Sequence, residues 1–271
     1  MAVLTRRKIT LVGAILLLLT TVVGVLAPLI ARDPSRMDVA TRLAAPSAFH
    51  WFGTDDVGRD VYSRVVYGAR LSLVVGLWVV ALAFLAGVAV GLVAGYYRRL
   101  DNPLMRVMDG LMAFPAIVLA IALMASLGPS VANVIVALSV VYAPRVARLV
   151  RGSVLVLRET PYVEAARALG VSDAAILVRH ILPNTLSPVI VQSSFTFAAA
   201  VLSEAALSFL GVGVPPFVPS WGNVLAEGRL YMQQAPWLVL YPGAAIMLTI
   251  FGLNLVGDGI RDALDPKVRG L

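Results

Sequence analysis

No cysteine occurs in the 271 residues, and the two histidines, His50 and His180, stand far apart. Disulfides, thiolate metal sites, a Cys nucleophile and a histidine-rich metal cage are therefore excluded. The redox compartment stays open, although a Cys-free chain suits an oxidising periplasm. Charge is scarce as well: 14% of residues are charged, against about 25% in a soluble domain. The chain lacks a glycine-rich phosphate loop ending in Gly-Lys-Ser/Thr, so no ATP or other cofactor site is expected in it. It also lacks a Ser/His/Asp set and a two-His zinc motif on one helix, which leaves no nucleophile–base pair for a membrane hydrolase.

What fills the chain is apolar sequence, 59% of residues, with a mean hydropathy of +0.88. Six runs, at about 9–30, 71–97, 110–127, 131–143, 185–210 and 237–256, are of membrane-crossing character, giving an all-α polytopic membrane protein with six transmembrane helices. Arg6-Arg7-Lys8 ahead of the first run is signal-peptide-like, but the run is long and no small-x-small site closes it, so a retained first helix is expected. Residues 1–70 form that helix and a first extracytoplasmic segment; residues 71–271 hold the other five helices. Gly87, Gly91 and Gly95 repeat at the small-x-x-x-small spacing that lets a second helix approach closely. Arg98, Arg99 and Arg106 mark a short basic turn, Pro115 predicts a kink near the start of the third run, and Arg145, Arg148 and Arg151 line one face where the fourth run leaves the membrane.

The formal charge of +7 raises nucleic acid as a partner, but its distribution answers the question differently. With six spans, 15 of the 22 Lys and Arg residues fall on the side that carries both termini. The positive-inside rule places that side in the cytoplasm, so the charge sets orientation and no nucleic-acid partner is required. Six arginines in the first outer segment run against the bias, interleaved with Asp33, Asp38, Asp55, Asp56 and Asp60.

Few polar residues interrupt the spans. Glu204 is the sole carboxylate of the fifth, and about nineteen residues at roughly 1.5 Å each put it near the outer edge, as a gate or vestibule group or as a snorkelling contact. Gln192, Thr196 and Ser203, with Ala199 between them, make a small polar stripe that lines a pathway or packs helices. In the first outer segment, Arg59, Asp60 and Arg64 are expected to pair locally; the DDVGRD core lacks the ligand order of a calcium loop. The second outer loop, with Pro215, Pro216, Pro219 and Trp221, suits a lid or a docking face for another protein.

The longest polar interruption of the second half, TPYVEAARALGVSDAAILVRHILPN at 160–184, reads as two short helices folded at a glycine. Thr160 is placed to cap a helix that Pro161 begins; Tyr162 to Leu169 continue it, with Glu164 near the positive end of its dipole. Gly170 suits the left-handed residue that stops such a helix. Ser172 can cap a second, which Pro183 is expected to help end.

Glu164-Ala165-Ala166, Gly170 six residues after the glutamate, and Leu182-Pro183 resemble the "EAA" loop of bacterial ABC importer permeases; His180 departs from the usual isoleucine two places before the leucine. GTDDVGRDVYSRVVYGARLSL, SEAALSFLGVGVPP with PSWGNVLAEG, and NLVGDGIRDALDPKVR resemble the dipeptide, oligopeptide and nickel branch of that family, in its second permease type. The resemblance implies a type I importer permease fold in the bacterial inner membrane. It also implies a second permease subunit as partner, two cytoplasmic ATPases that bind ATP and Mg, and an extracytoplasmic substrate-binding protein. Transport would run by alternating access, with di- or oligopeptides as cargo, or else nickel chelates, glutathione or opine-like solutes. An ion-gradient secondary transporter is the reading from another class, and it calls for mid-span carboxylates and a broken helix at the bilayer centre.

Overall fold

The computed structural model describes residues 2–264. Among them no strand forms; a lone antiparallel bridge joins Thr54 to Asp60. Helix α1 (Ala2–Val25) and the single turn α2 (Ala27–Ile30) are followed by an outer segment, and then by α3 (Val61–Tyr96). At 36 residues, α3 is about 54 Å long, well beyond the roughly 30 Å hydrocarbon core. It begins ten residues before the expected run, because the Asp60 carboxylate accepts from Ser63 N at 2.8 Å and caps it. The extra turns carry the helix beyond its apolar run, into the polar stretch that precedes it.

The glycine repeat does what its spacing predicts. A Cβ at Gly87, Gly91 or Gly95 would stand 2.5–2.7 Å from the Cβ of Val146, Val150 or Val154 on α6 (Val131–Leu157). Three valines at intervals of four thus seat in three glycine notches, and α3 and α6 meet backbone to backbone. This is the central pair of the molecule.

Between these two, the expected basic turn and third span take another form. Arg98, Arg99 and Arg106 belong to an amphipathic helix, α4 (Arg98–Met112), and the chain bends by 93° before α5 (Ala116–Leu127). The physical reason is Pro115: it leaves the residue before it unsuited to the helix and starts α5 afresh. With twelve residues, α5 rises about 18 Å and does not cross a full bilayer by itself. Among the described residues, five helices are long and apolar enough to cross, and six if the bent α4–α5 pair counts as one. The row of α6 arginines explains where α4 lies: Arg151 clamps Asp101 with Nε and Nη2, the longer contact at 2.7 Å, and Arg148 reaches Asp109 at 2.7 Å.

After α6 come α7 (Pro161–Ala168), the turn α8 (Asp173–Ile176), and α9 (Leu182–Phe209). The outer helix α10 (Trp221–Gly228) and α11 (Trp237–Leu264) close the chain. One apolar core joins α3, α5, α6 and α9 around Val79, Met124, Leu138 and Leu207. A second joins the outer parts of α3, α9, α10 and α11 around Trp221 and Leu238. Helix α1 lies on α11 and α3, with Thr249 Oγ1 bonded to Thr20 Oγ1 at 3.4 Å. Of the expected tail positives, Arg261 ends α11, whereas Lys267 and Arg269 lie outside the described residues.

Candidate functional site

The knuckle at 160–184 is built on the C-terminal ends of α3 and α6. Thr160 precedes α7, and Pro161 takes its first position. The Thr160 hydroxyl donates to Leu157 O rather than accepting from the helix, so α7 has no side-chain cap, and neither does α8 at Ser172. Gly170 adopts φ +78°, a left-handed conformation that glycine enters without steric cost. Val163 and Ala166, on one side of α7, are buried against Val150, Val154, Ile176 and Ile181. The opposite side presents Tyr162, Glu164, Ala165, Ala168 and Leu169 to solvent, Leu169 being 84% exposed.

Pro183 does not end the second helix. Residues Leu177–Ile181 form a wider π-type turn, and the helix runs on from α8 into α9. The wide turn is where a backbone without the Pro183 N–H fits, and Leu182 and Pro183 become the root of a span. Three polar contacts tie this assembly to its neighbours. Tyr96, the last residue of α3, donates its hydroxyl to Asp173 Oδ1 at 2.7 Å. Arg167 lies over the Tyr96 ring at 5.8 Å, and Arg158 donates to Gly95 O at 2.7 Å. These contacts, with the apolar cluster beneath α7, join the knuckle to the ends of α3, α6 and α9.

The outer face is organised by charge. Asp55 is fully buried and accepts from Arg59 Nε at 2.6 Å and Arg64 Nη1 at 2.7 Å. Glu227 of α10 accepts from Arg59 Nη2 at 2.9 Å and from both terminal nitrogens of Arg64, one at 3.0 Å. The expected local pairing of Arg59, Asp60 and Arg64 is thus corrected. Asp60 caps α3 and meets His50 Nδ1 at 2.9 Å, while the arginines bridge the first outer segment to α10. Spacing could not reveal this, because Arg59 and Glu227 are 168 residues apart. Asp55, Asp56 and Glu227 come together closely enough to hold a cation, but the two guanidiniums already neutralise Asp55 and Glu227.

The second outer loop divides. Pro216 and Phe217 are exposed, Phe217 at 76%, and Pro215 is half-buried. Trp221 is 1% exposed and donates Nε1–H to Val65 O at 2.8 Å. Its indole is a structural rivet between α10 and α3, which removes it from a docking face. Glu204 is likewise neither an open vestibule group nor a snorkelling one. It is fully buried, accepting from Ser72 Oγ of α3 at 2.9 Å and Ser208 Oγ at 3.0 Å, with the Ser220 hydroxyl as third partner. The missing information was the three serines that enclose it.

Of the polar stripe on α9, Thr196 is buried and bonds back to Gln192 O at 2.9 Å. Ser203 Oγ shares a 2.8 Å hydrogen bond with the Tyr142 hydroxyl of α6, and that hydroxyl also donates to Ala199 O at 3.2 Å. The stripe thus faces protein, with Gln192, Ala199 and Ser203 half-buried.

Residues 87–270 match the model of the family described as "Binding-protein-dependent transport system inner membrane component". A peptide transport system permease protein of Brucella suis biovar 1 is 51% identical over 98% of this chain and 90% of its own. The dipeptide transport system permease protein DppC of Alkalihalophilus pseudofirmus is 47% identical over 98% of this chain and 88% of its own. Among solved structures, the MetNI methionine ABC transporter in an inward-facing conformation superposes with a TM-score of 0.61 at 20% identity. That match covers 74% of this chain and 96% of the other, and it speaks for the fold alone.

Proposed function

Because the chain belongs to the family of binding-protein-dependent transport system inner membrane components, an ABC importer permease with the type I fold, we propose that it carries di- and oligopeptides, driven by ATP hydrolysed on separate subunits. The observation that carries the coupling part is the two-sided construction of α7. Val163 and Ala166 anchor one side, and the other leaves Tyr162, Glu164, Ala165 and Leu169 free for a partner. An apolar, lightly charged helix face beside a glycine hinge fits a groove on a cytoplasmic ATPase, which would bind ATP and Mg. Two such ATPases, a second permease and an extracytoplasmic binding protein complete the assembly, with both termini in the cytoplasm of a bacterial cell.

Closure of the ATPases would draw the knuckles together and turn the spans outward, and hydrolysis would reset them. A ligand shifts such an equilibrium only as far as its affinity differs between the two states, so the α7 contact must differ between them. The peptide cargo rests on the Brucella and Alkalihalophilus relatives. The half-buried Gln192, Ala199 and Ser203 are the pathway candidates, to be completed by the second permease, and Pro215, Pro216 and Phe217 are the binding-protein contacts. Uptake of a radiolabelled dipeptide by cells lacking and then regaining this chain tests the reading. It predicts restored uptake that stops when ATP is depleted; uptake that persists without ATP and stops only when the proton gradient collapses would overturn it.

A further inference from the structure

A second site of recognisable chemistry lies on the other flank of the molecule, where the first helix leaves the apolar layer. The apolar run ends at Ile30, and Arg32 and Asp33 open the polar segment, so this point marks the membrane boundary in the chain. A cavity of about 170 Å³ opens there, lined by Ile30, Arg32, Phe49, Trp51, Asp60 and Tyr62 among others. Trp51 meets Tyr62 edge to face at 4.9 Å and makes an aromatic wall. The Asp60 carboxylate, held by His50 and Ser63, lines the cavity, and Arg32 is pinned beside it by its own backbone N–H, which donates to Ser63 Oγ at 3.0 Å. The Arg32 guanidinium has no hydrogen-bond or ion-pair partner among the described residues. Among the lining residues, Phe49 and Trp51 are exposed at 76% and 63%.

We propose that this cavity binds the headgroup of a zwitterionic aminophospholipid, phosphatidylethanolamine, at the extracytoplasmic membrane surface. The unpaired guanidinium takes the phosphate through charge-assisted hydrogen bonds, and the carboxylate with the aromatic wall takes the ammonium. Exposed phenylalanine and tryptophan at the rim belong at the lipid–water boundary and accommodate the upper acyl chains. Asp60 disfavours a purely anionic headgroup. A free peptide has the same pair of charges, but the cavity sits by α2 and the start of α3, away from the α5–α6–α9 core, and its rim is apolar. The turn α2, which follows α1, would then be held in place by a lipid as well as by α3.

The test is native mass spectrometry of the intact transporter complex released from nanodiscs made of equal parts phosphatidylethanolamine and phosphatidylglycerol. The wild type is expected to retain one phosphatidylethanolamine more per copy of this chain than Arg32→Gln does, a loss of about tenfold in occupancy, the size of one charge-assisted hydrogen bond. Trp51→Leu should lose the same molecule, and Arg36→Gln, at an exposed arginine four residues on, should keep it. Retention of that lipid by both Arg32→Gln and Trp51→Leu, or equal retention of phosphatidylglycerol by the wild type, would overturn the proposal. So would displacement of the lipid by a dipeptide but not by free phosphoethanolamine.

Discussion

The two polar faces of this permease are held by opposite means. On the outer side Asp55, Arg59, Arg64 and Glu227 lock the first outer segment, α3 and α10 into one block, with Trp221 riveted beneath. On the inner side α7 rests on a few apolar contacts, turns on Gly170 and leaves most of its surface open. A buried charge cluster resists gradual displacement, because moving one partner leaves another uncompensated. An apolar seat beside a glycine hinge can shift without such a penalty. The comparison teaches that the outer cap is braced by buried charge, whereas the knuckle proposed to couple to the ATPase rests on apolar contacts and a glycine turn.

Breaking the inner side should have the largest effect on transport. Proline cannot adopt φ +78°, so Gly170→Pro should leave the chain in the membrane yet cut uptake and stimulated ATP hydrolysis together by about tenfold or more, the range of ordinary coupling energies. Paired uptake and ATPase assays on the reconstituted complex check this. Breaking the outer side should cost stability first. Arg64→Met strips the contacts to buried Asp55 and half-buried Glu227 and is expected to destabilise by about 3–5 kcal/mol, visible in thermal melting of the purified complex. Glu204→Leu comes next, about 1–3 kcal/mol, since it leaves the Ser72 and Ser208 hydroxyls buried without their acceptor, whereas Glu204→Gln should recover part of that loss. Least is expected of Asp109→Asn, whose pair with Arg148 is more than half exposed and is worth under about 1 kcal/mol.

Much of the architecture was legible because it follows from local rules. The glycine repeat at 87, 91 and 95 announced a close helix pair, Pro115 announced a break, and Pro161 with Gly170 announced the knuckle. What escaped was long-range. Nothing in the spacing joins Arg59 to Glu227, or Ser72 to Glu204 at a separation of 132 residues. Trp221 was misplaced because an amphipathic side chain in a proline-rich loop looks the same whether it faces water or caps a neighbouring helix. Pro183 misled for a related reason: a proline reads as a stop, and the wide turn that absorbs it is set by the span that follows.

The central claim is that α7 is the cytoplasmic handle for an ATP-hydrolysing partner, and the absence of cysteine makes it directly testable. Ala168→Cys supplies a single thiol on the exposed side of α7, to be crosslinked in native membranes with and without nucleotide. The account predicts a crosslink to an ATPase subunit whose yield changes on nucleotide binding, and protection from a membrane-impermeant maleimide added outside. Labelling from the outside, or a thiol that never finds a nucleotide-hydrolysing neighbour, would contradict it.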